Sequence, residues 1–154
     1  MMAELRVRVW RVEPHSESQF LLILVDENQQ LLPMTIGLCE AMSIESVVRT
    51  SAAVPRLGFA HDLLGAIITR LGGRLVKVVI DDLWNKVYFA KLHLAVNGET
   101  ITVDARPSDA VAIAIRLEAP LFATESVMAA ANEPESPPEV EDPESDPDSD
   151  LGDV

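Results

Sequence analysis

The chain predicts an α+β domain: internally duplicated three-strand-plus-helix units whose strands form a mostly antiparallel, mixed sheet packed by helices. Three observations lead there. Short runs with strand periodicity alternate with runs at helical spacing, and turn residues separate them. Sliding the chain by 69 positions, Val76 onto Val7, registers the halves without a gap. Val7-Arg8-Val9 then falls on Val76-Lys77-Val78, Phe20 on Phe89, and Leu32 on Ile101. Glu40-Ala41-Met42-Ser43-Ile44 falls on Asp109-Ala110-Val111-Ala112-Ile113. Finally, each registered unit ends in a run that reads as a helix just after its third strand.

The elements follow in order. Leu5, Val7 and Val9 alternate with Arg6 and Arg8, a half-exposed strand to about Val12. Residues 14–18 turn the chain. Phe20 to Val25 is apolar throughout, as a central strand is, and Asp26-Glu27-Asn28-Gln29 turns into a strand over 31–36. Gly37 ends it, and a helix occupies 38–50. After a loop with Pro55, a second helix spans 61–71; Leu63, Leu64, Ile67, Ile68 and Leu71 give it a broad apolar stripe. Gly72-Gly73 stops it.

The second unit opens with a strand over 75–81 and a turn at Trp84-Asn85-Lys86. A strand over 87–94, the hairpin dipeptide Asn97-Gly98 and a strand over 99–103 come next. Ser108 is a natural N-cap for a helix to about Leu117, with Asp109 favourable in its first turn. A short strand at 121–123 and a helical turn or two over 124–131 complete the body.

Charge divides the chain into a domain, 1–131, and a Pro-rich acidic tail, 132–154. Residues 133–154 hold ten acids, five prolines and no Lys or Arg, too little apolar surface to offset the entropy of ordering. Disorder is expected there. Of the 25 acids in the chain, 15 remain in the body against 12 bases. Most of the net charge of −13 therefore belongs to the tail. A polyanion must then meet the body at a local basic patch or a metal. The tail itself can mimic a nucleic-acid backbone and compete for the body's basic residues, although plain solubility is the commoner role.

Cys39 is the only cysteine, so no intrachain disulfide forms. No apolar leader or bilayer-length run occurs, and a soluble cytoplasmic protein without membrane contact is expected. Sheet surface lacking helical cover suggests a homo-oligomer such as a dimer. Gly-rich phosphate loops, Gly-x-Ser-x-Gly, His-Glu-x-x-His and paired Cys-x-x-Cys are absent. That sets aside the common nucleotide hydrolase, serine hydrolase and zinc classes.

One block carries concentrated chemistry: Asp104-Ala105-Arg106-Pro107-Ser108-Asp109, continuing Ala110-Val111-Ala112-Ile113-Ala114. With Leu32-Pro33-Met34-Thr35-Ile36-Gly37, Glu40-Ala41, His61-Asp62-Leu63-Leu64, Val79-Ile80-Asp81-Asp82-Leu83 and Tyr88-Phe89-Ala90-Lys91-Leu92, it resembles the bifunctional nuclease family across residues 4–131. The segment after Gly37 departs from the family's alanine-richer pattern but keeps Glu40. The resemblance implies nuclease activity on RNA and DNA, with a divalent metal, magnesium or manganese, plausible.

The candidate catalytic residues are Asp81, Asp104, Asp109, Glu40 and His61; Arg106 and Ser108 are the candidate substrate ligands. Ser108 and the free amides of a helix's first turn can cradle an anion, and Arg106 can grip a phosphate oxygen in bidentate fashion. Asp81 and Asp109 are the candidate metal ligands, since a hard divalent ion takes carboxylates, water and phosphate. Plainer roles compete: a cap for Ser108, the helix dipole for Asp109, an Arg106–Asp104 turn contact, and a solvated turn for Asp82. His61 suits general acid–base work near neutral pH, whereas Asp62 reads as a cap. Glu40, the counterpart of Asp109, either faces it and shares a metal or serves its own helix. Trp84 and Tyr88 can stack on bases or, more commonly, pack across strands or against a subunit. A non-catalytic module binding an anion, nucleic acid or protein partner is the alternative function.

Overall fold

A computed structural model describes residues 3–50 and 58–134. Seven strands and four helices follow in the order β1 (Glu4–Pro14), β2 (Gln19–Asp26), β3 (Leu31–Gly37), α1 (Leu38–Arg49), α2 (Ala60–Arg70), β4 (Arg74–Trp84), β5 (Val87–Val96), β6 (Glu99–Ala105), α3 (Pro107–Arg116), β7 (Leu121–Thr124) and α4 (Glu125–Ala131). This is the expected α+β class. The loop at Pro55 and the tail beyond Pro134 lie outside the described residues.

The strands make one sheet, ordered β3-β2-β1-β7-β4-β5-β6. Two antiparallel meanders flank β7, which runs antiparallel to β1 and parallel to β4. The turn chemistry explains the meanders. Asp26 Oδ1 accepts from the backbone N–H groups of Asn28 and Gln30, both at 2.8 Å, closing β2–β3. Asn97 and Gly98 both adopt positive φ (51° and 79°), the twist a two-residue hairpin needs. Asn85 and Lys86 do the same between β4 and β5.

Alternation along each strand sends one set of side chains inward: Val7, Leu22, Leu24, Leu32, Met34, Val78, Ile80, Ala90 and Leu92. Against them lies α3, whose Ala110, Val111, Ala112, Ile113 and Ala114 are all buried. A helix buried on every side must be apolar all round, and its alanines let neighbouring backbones approach. The helix touches α1, α2, β4 and β5.

Helix α2 packs differently from α3. Its stripe does not enter the core: Leu63, Leu64, Ile67 and Leu71 remain 62%, 43%, 45% and 73% exposed. Gly65 faces Leu117, the residue that follows α3, while Ile68 packs on the core's margin. No helix among the described residues is long and apolar enough to cross a membrane.

Candidate active site

Helices α1 and α3 begin side by side, each immediately after the third strand of its meander. Their first turns carry Glu40 and Asp109. Arg106, the residue preceding α3, lies between these carboxylates. Its Nε donates to Asp109 Oδ2 at 2.8 Å and its Nη2 to Glu40 Oε1 at 2.9 Å. Glu40 and Asp109 are thus brought together through a guanidinium.

Behind this pair the network continues inward. His61, in the first turn of α2, meets Asp109 Oδ1 through Nε2 at 2.9 Å and Ser43 Oγ through Nδ1 at 2.6 Å. Burial alone would push the Asp109 carboxyl up, but hydrogen bonds from Arg106 and His61 outweigh it and hold it below the ordinary value. An ionised Asp109 accepts only, so Nε2 carries the proton. In the neutral ring Nδ1 then accepts from the Ser43 hydroxyl. Ser43 is fully buried and His61 has both ring nitrogens engaged, so neither offers a free group to a substrate. Their hydrogen bonds fix the orientation of the Asp109 carboxylate.

A second layer fixes α2 against α3. Asp62 Oδ1 accepts from Arg116 Nε at 2.7 Å, and both side chains are about 95% buried. Asp62 Oδ2 takes the backbone N–H of Phe59, the residue preceding α2, so the expected capping role is the one observed. Arg116 also reaches the carbonyls of Ala112 and Ser43. Sequence reasoning passed over Ser43 and Arg116. A lone cation in the last turn of an otherwise apolar, buried helix was the available signal for Arg116, because such a group demands partners; nothing local marked Ser43.

Ser108 is not the cap. Arg106 occupies that position with Pro107 first in the helix, and Ser108 lies one residue further in. Proline suits the first helical position, where no N–H is needed, and the helix starts two residues ahead of expectation. Residues 106–108 nevertheless line the groove described next, as does Glu40.

That groove has a volume of about 900 Å³ and runs between β3, the β4–β5 turn and the end of α4. Lys86, Tyr88 and His15 also border it. Burial raises the Tyr88 hydroxyl's pKa, keeping it protonated. Arg106 is two-thirds exposed, and of the five N–H donors of a guanidinium two are spent on carboxylates. The others remain for an anion. Hydrogen bonding to Asp109 and Glu40 raises the Arg106 pKa further, so its charge is permanent. Gly37, the residue preceding α1, admits Glu40: a Cβ there would lie 2.7 Å from Glu40 Oε2.

Asp81 and Asp104 are elsewhere. Lys91 lies between inward-facing Ala90 and Leu92, hence on the sheet's opposite face. Its Nζ pairs with Asp81 Oδ2 at 2.7 Å and approaches Asp104 Oδ1 at 3.8 Å. The Asp81 bond raises the Lys91 pKa. Asp81 and Asp109 therefore face away from each other and do not fit a shared divalent ion. Among the described residues no three His, Cys, Asp or Glu side chains are grouped to hold one. Asp81 Oδ1 is enclosed without a hydrogen-bond partner, while Asp82 is exposed as expected. Trp84 is 70% exposed at the hairpin tip.

Comparison with known proteins gives two results. The family model described as the bifunctional nuclease domain matches residues 21–136. Uncharacterized proteins of Mycobacterium tuberculosis, from strains CDC 1551 and H37Rv, are each 36% identical over 130 residues, covering 84% of this chain and 76% of theirs.

Proposed function

The chain belongs to the bifunctional nuclease domain family, and from that premise we propose that it hydrolyses phosphodiester bonds of RNA and DNA at the Arg106 groove. One observation carries the reading. Arg106 is exposed at the groove with donors to spare, yet two carboxylates fix its orientation. A preoriented guanidinium stabilises charge that develops on a phosphoryl oxygen. Ser108 and the free amides of α3's first turn supply further donors on the same rim.

Glu40 is the group placed to take a proton from an attacking water, since its carboxylate borders the groove beside Arg106. Water adds at phosphorus, Glu40 takes its proton, and the bond to the leaving oxygen breaks, solvent protonating that oxygen. Asp109 keeps the guanidinium aimed; His61 and Ser43 keep Asp109 aimed. No step passes through a divalent ion, because Asp81 and Asp109 lie on opposite faces of the sheet and the Arg106 guanidinium occupies the position between Glu40 and Asp109.

A specific observation favours the non-catalytic alternative. Arg106, Asp109, His61 and Ser43 are all partnered within the protein, as a clamp joining three helices would be. Purified chain mixed with labelled single-stranded RNA or DNA separates the readings. Turnover that falls about 100-fold or more in Glu40→Gln supports hydrolysis. Binding without turnover supports the alternative.

A further inference from the structure

The sheet face opposite the helices carries a charge pattern unlike the rest of the chain. Val7 is buried in the core, so Arg6 and Arg8 on either side of it point the other way. Both are exposed, about 6.6 Å apart along an extended strand. A register shift follows Val9, after which Arg11 continues the row opposite Ile23. Across β7, Lys77 of β4 completes it. Phe122 sits in the middle: it pairs with Arg6, and its ring lies 5.6 Å from the Arg6 guanidinium and 5.9 Å from Lys77 Nζ. Trp10, 42% exposed, has Arg11 over its ring at 4.2 Å.

Four cations thus surround two aromatic rings, with only Glu4 and Glu13 paired among them, through Lys77 and Arg11. On this β1–β7–β4 stretch the four cations exceed the acids paired with them by two, in a chain of net −13, while the Lys91–Asp81–Asp104 cluster lies further along the same face.

We propose that this face binds single-stranded nucleic acid, separately from the Arg106 groove. Charge complementarity selects a polyanion, and the rings together with guanidinium planes select one with stackable bases. An unpaired strand presents both; a duplex hides its bases. Binding here does not require that the chain cleave anything.

The test uses the full chain and a fluorescein-labelled oligothymidylate of about 12 nucleotides, read by anisotropy across a salt series. Arg6→Glu with Arg8→Glu should weaken binding at low salt by roughly tenfold or more and flatten the salt dependence. Phe122→Leu should weaken it with the salt slope unchanged, since it removes stacking and leaves the charge. Arg70→Glu, an exposed reversal on α2, should bind as wild type. Thermal melts check that each variant is folded. Unaltered affinity in the Arg6/Arg8 and Phe122 variants would overturn the assignment. So would an equal loss in Arg70→Glu, or a loss of self-association in the Arg6/Arg8 variant relative to wild type, which would make the face a subunit contact. Turnover is scored separately: intact, face-dependent binding without cleavage contradicts the nuclease reading alone.

Discussion

His61 Nε2 donates to Asp109 Oδ1 at 2.9 Å, joining the first turn of α2 to the first turn of α3 across 48 residues of sequence. Through this bond and its own bond to Arg106, one carboxylate couples the helix framework to the groove.

The first prediction concerns acid. Asp109 has its folded pKa below its ordinary value, so its contribution to stability is present above the unfolded carboxylate pKa, about 3.9. It is lost as pH falls through the depressed folded value. Asp109→Asn should lower stability at pH 7 and lose less than wild type between pH 5 and pH 3. Urea denaturation across that range measures both. Parallel stability curves would contradict the coupling.

The buried pair Asp62–Arg116 gives the largest expected stability effect. Removing one partner leaves the other charge without compensation, a loss of about 3–5 kcal/mol. Asp62→Ala also frees the Phe59 N–H from its partner. Chemical denaturation should place this variant well below Arg49→Ala, which removes only a surface pair with Glu45 worth about 0–1 kcal/mol.

Gly37→Ala separates function from stability. The backbone before α1, at φ −79° and ψ 171°, suits alanine, but its Cβ would displace the Glu40 carboxylate. Melting temperature should change little, while turnover falls through a misplaced Glu40. Wild-type turnover would mean that the position of Glu40 does not matter.

These residues also show what sequence could and could not reveal. The strand order within each meander follows from hairpin chemistry at Asn97-Gly98 and from the alternation around Val7, both local signals. Glu40 and Asp109 are legible as related helix-start acids, because each falls at the same place when the halves are registered and is the third residue of its helix. Their union through Arg106 was not, since it depends on how α1 and α3 lie side by side. Asp81 misled for a similar reason. Its strand address is readable, but the face it occupies rests on its ion pair with Lys91, because Asp81 itself sits in the register irregularity between Ile80 and Asp82. Periodicity identified the apolar stripe of α2 without indicating whether anything covers it. Ser43 had no signal, because a buried serine is explained only by the histidine it meets.

Cleavage of labelled single-stranded RNA and DNA by the wild-type chain and by Arg106→Ala, purified side by side, bears most directly on the groove as the reacting site. Wild type should cut both substrates, and the variant should lose about 100-fold or more, as expected when one preorganised donor to a developing charge is removed. Equal rates in the two proteins would contradict it.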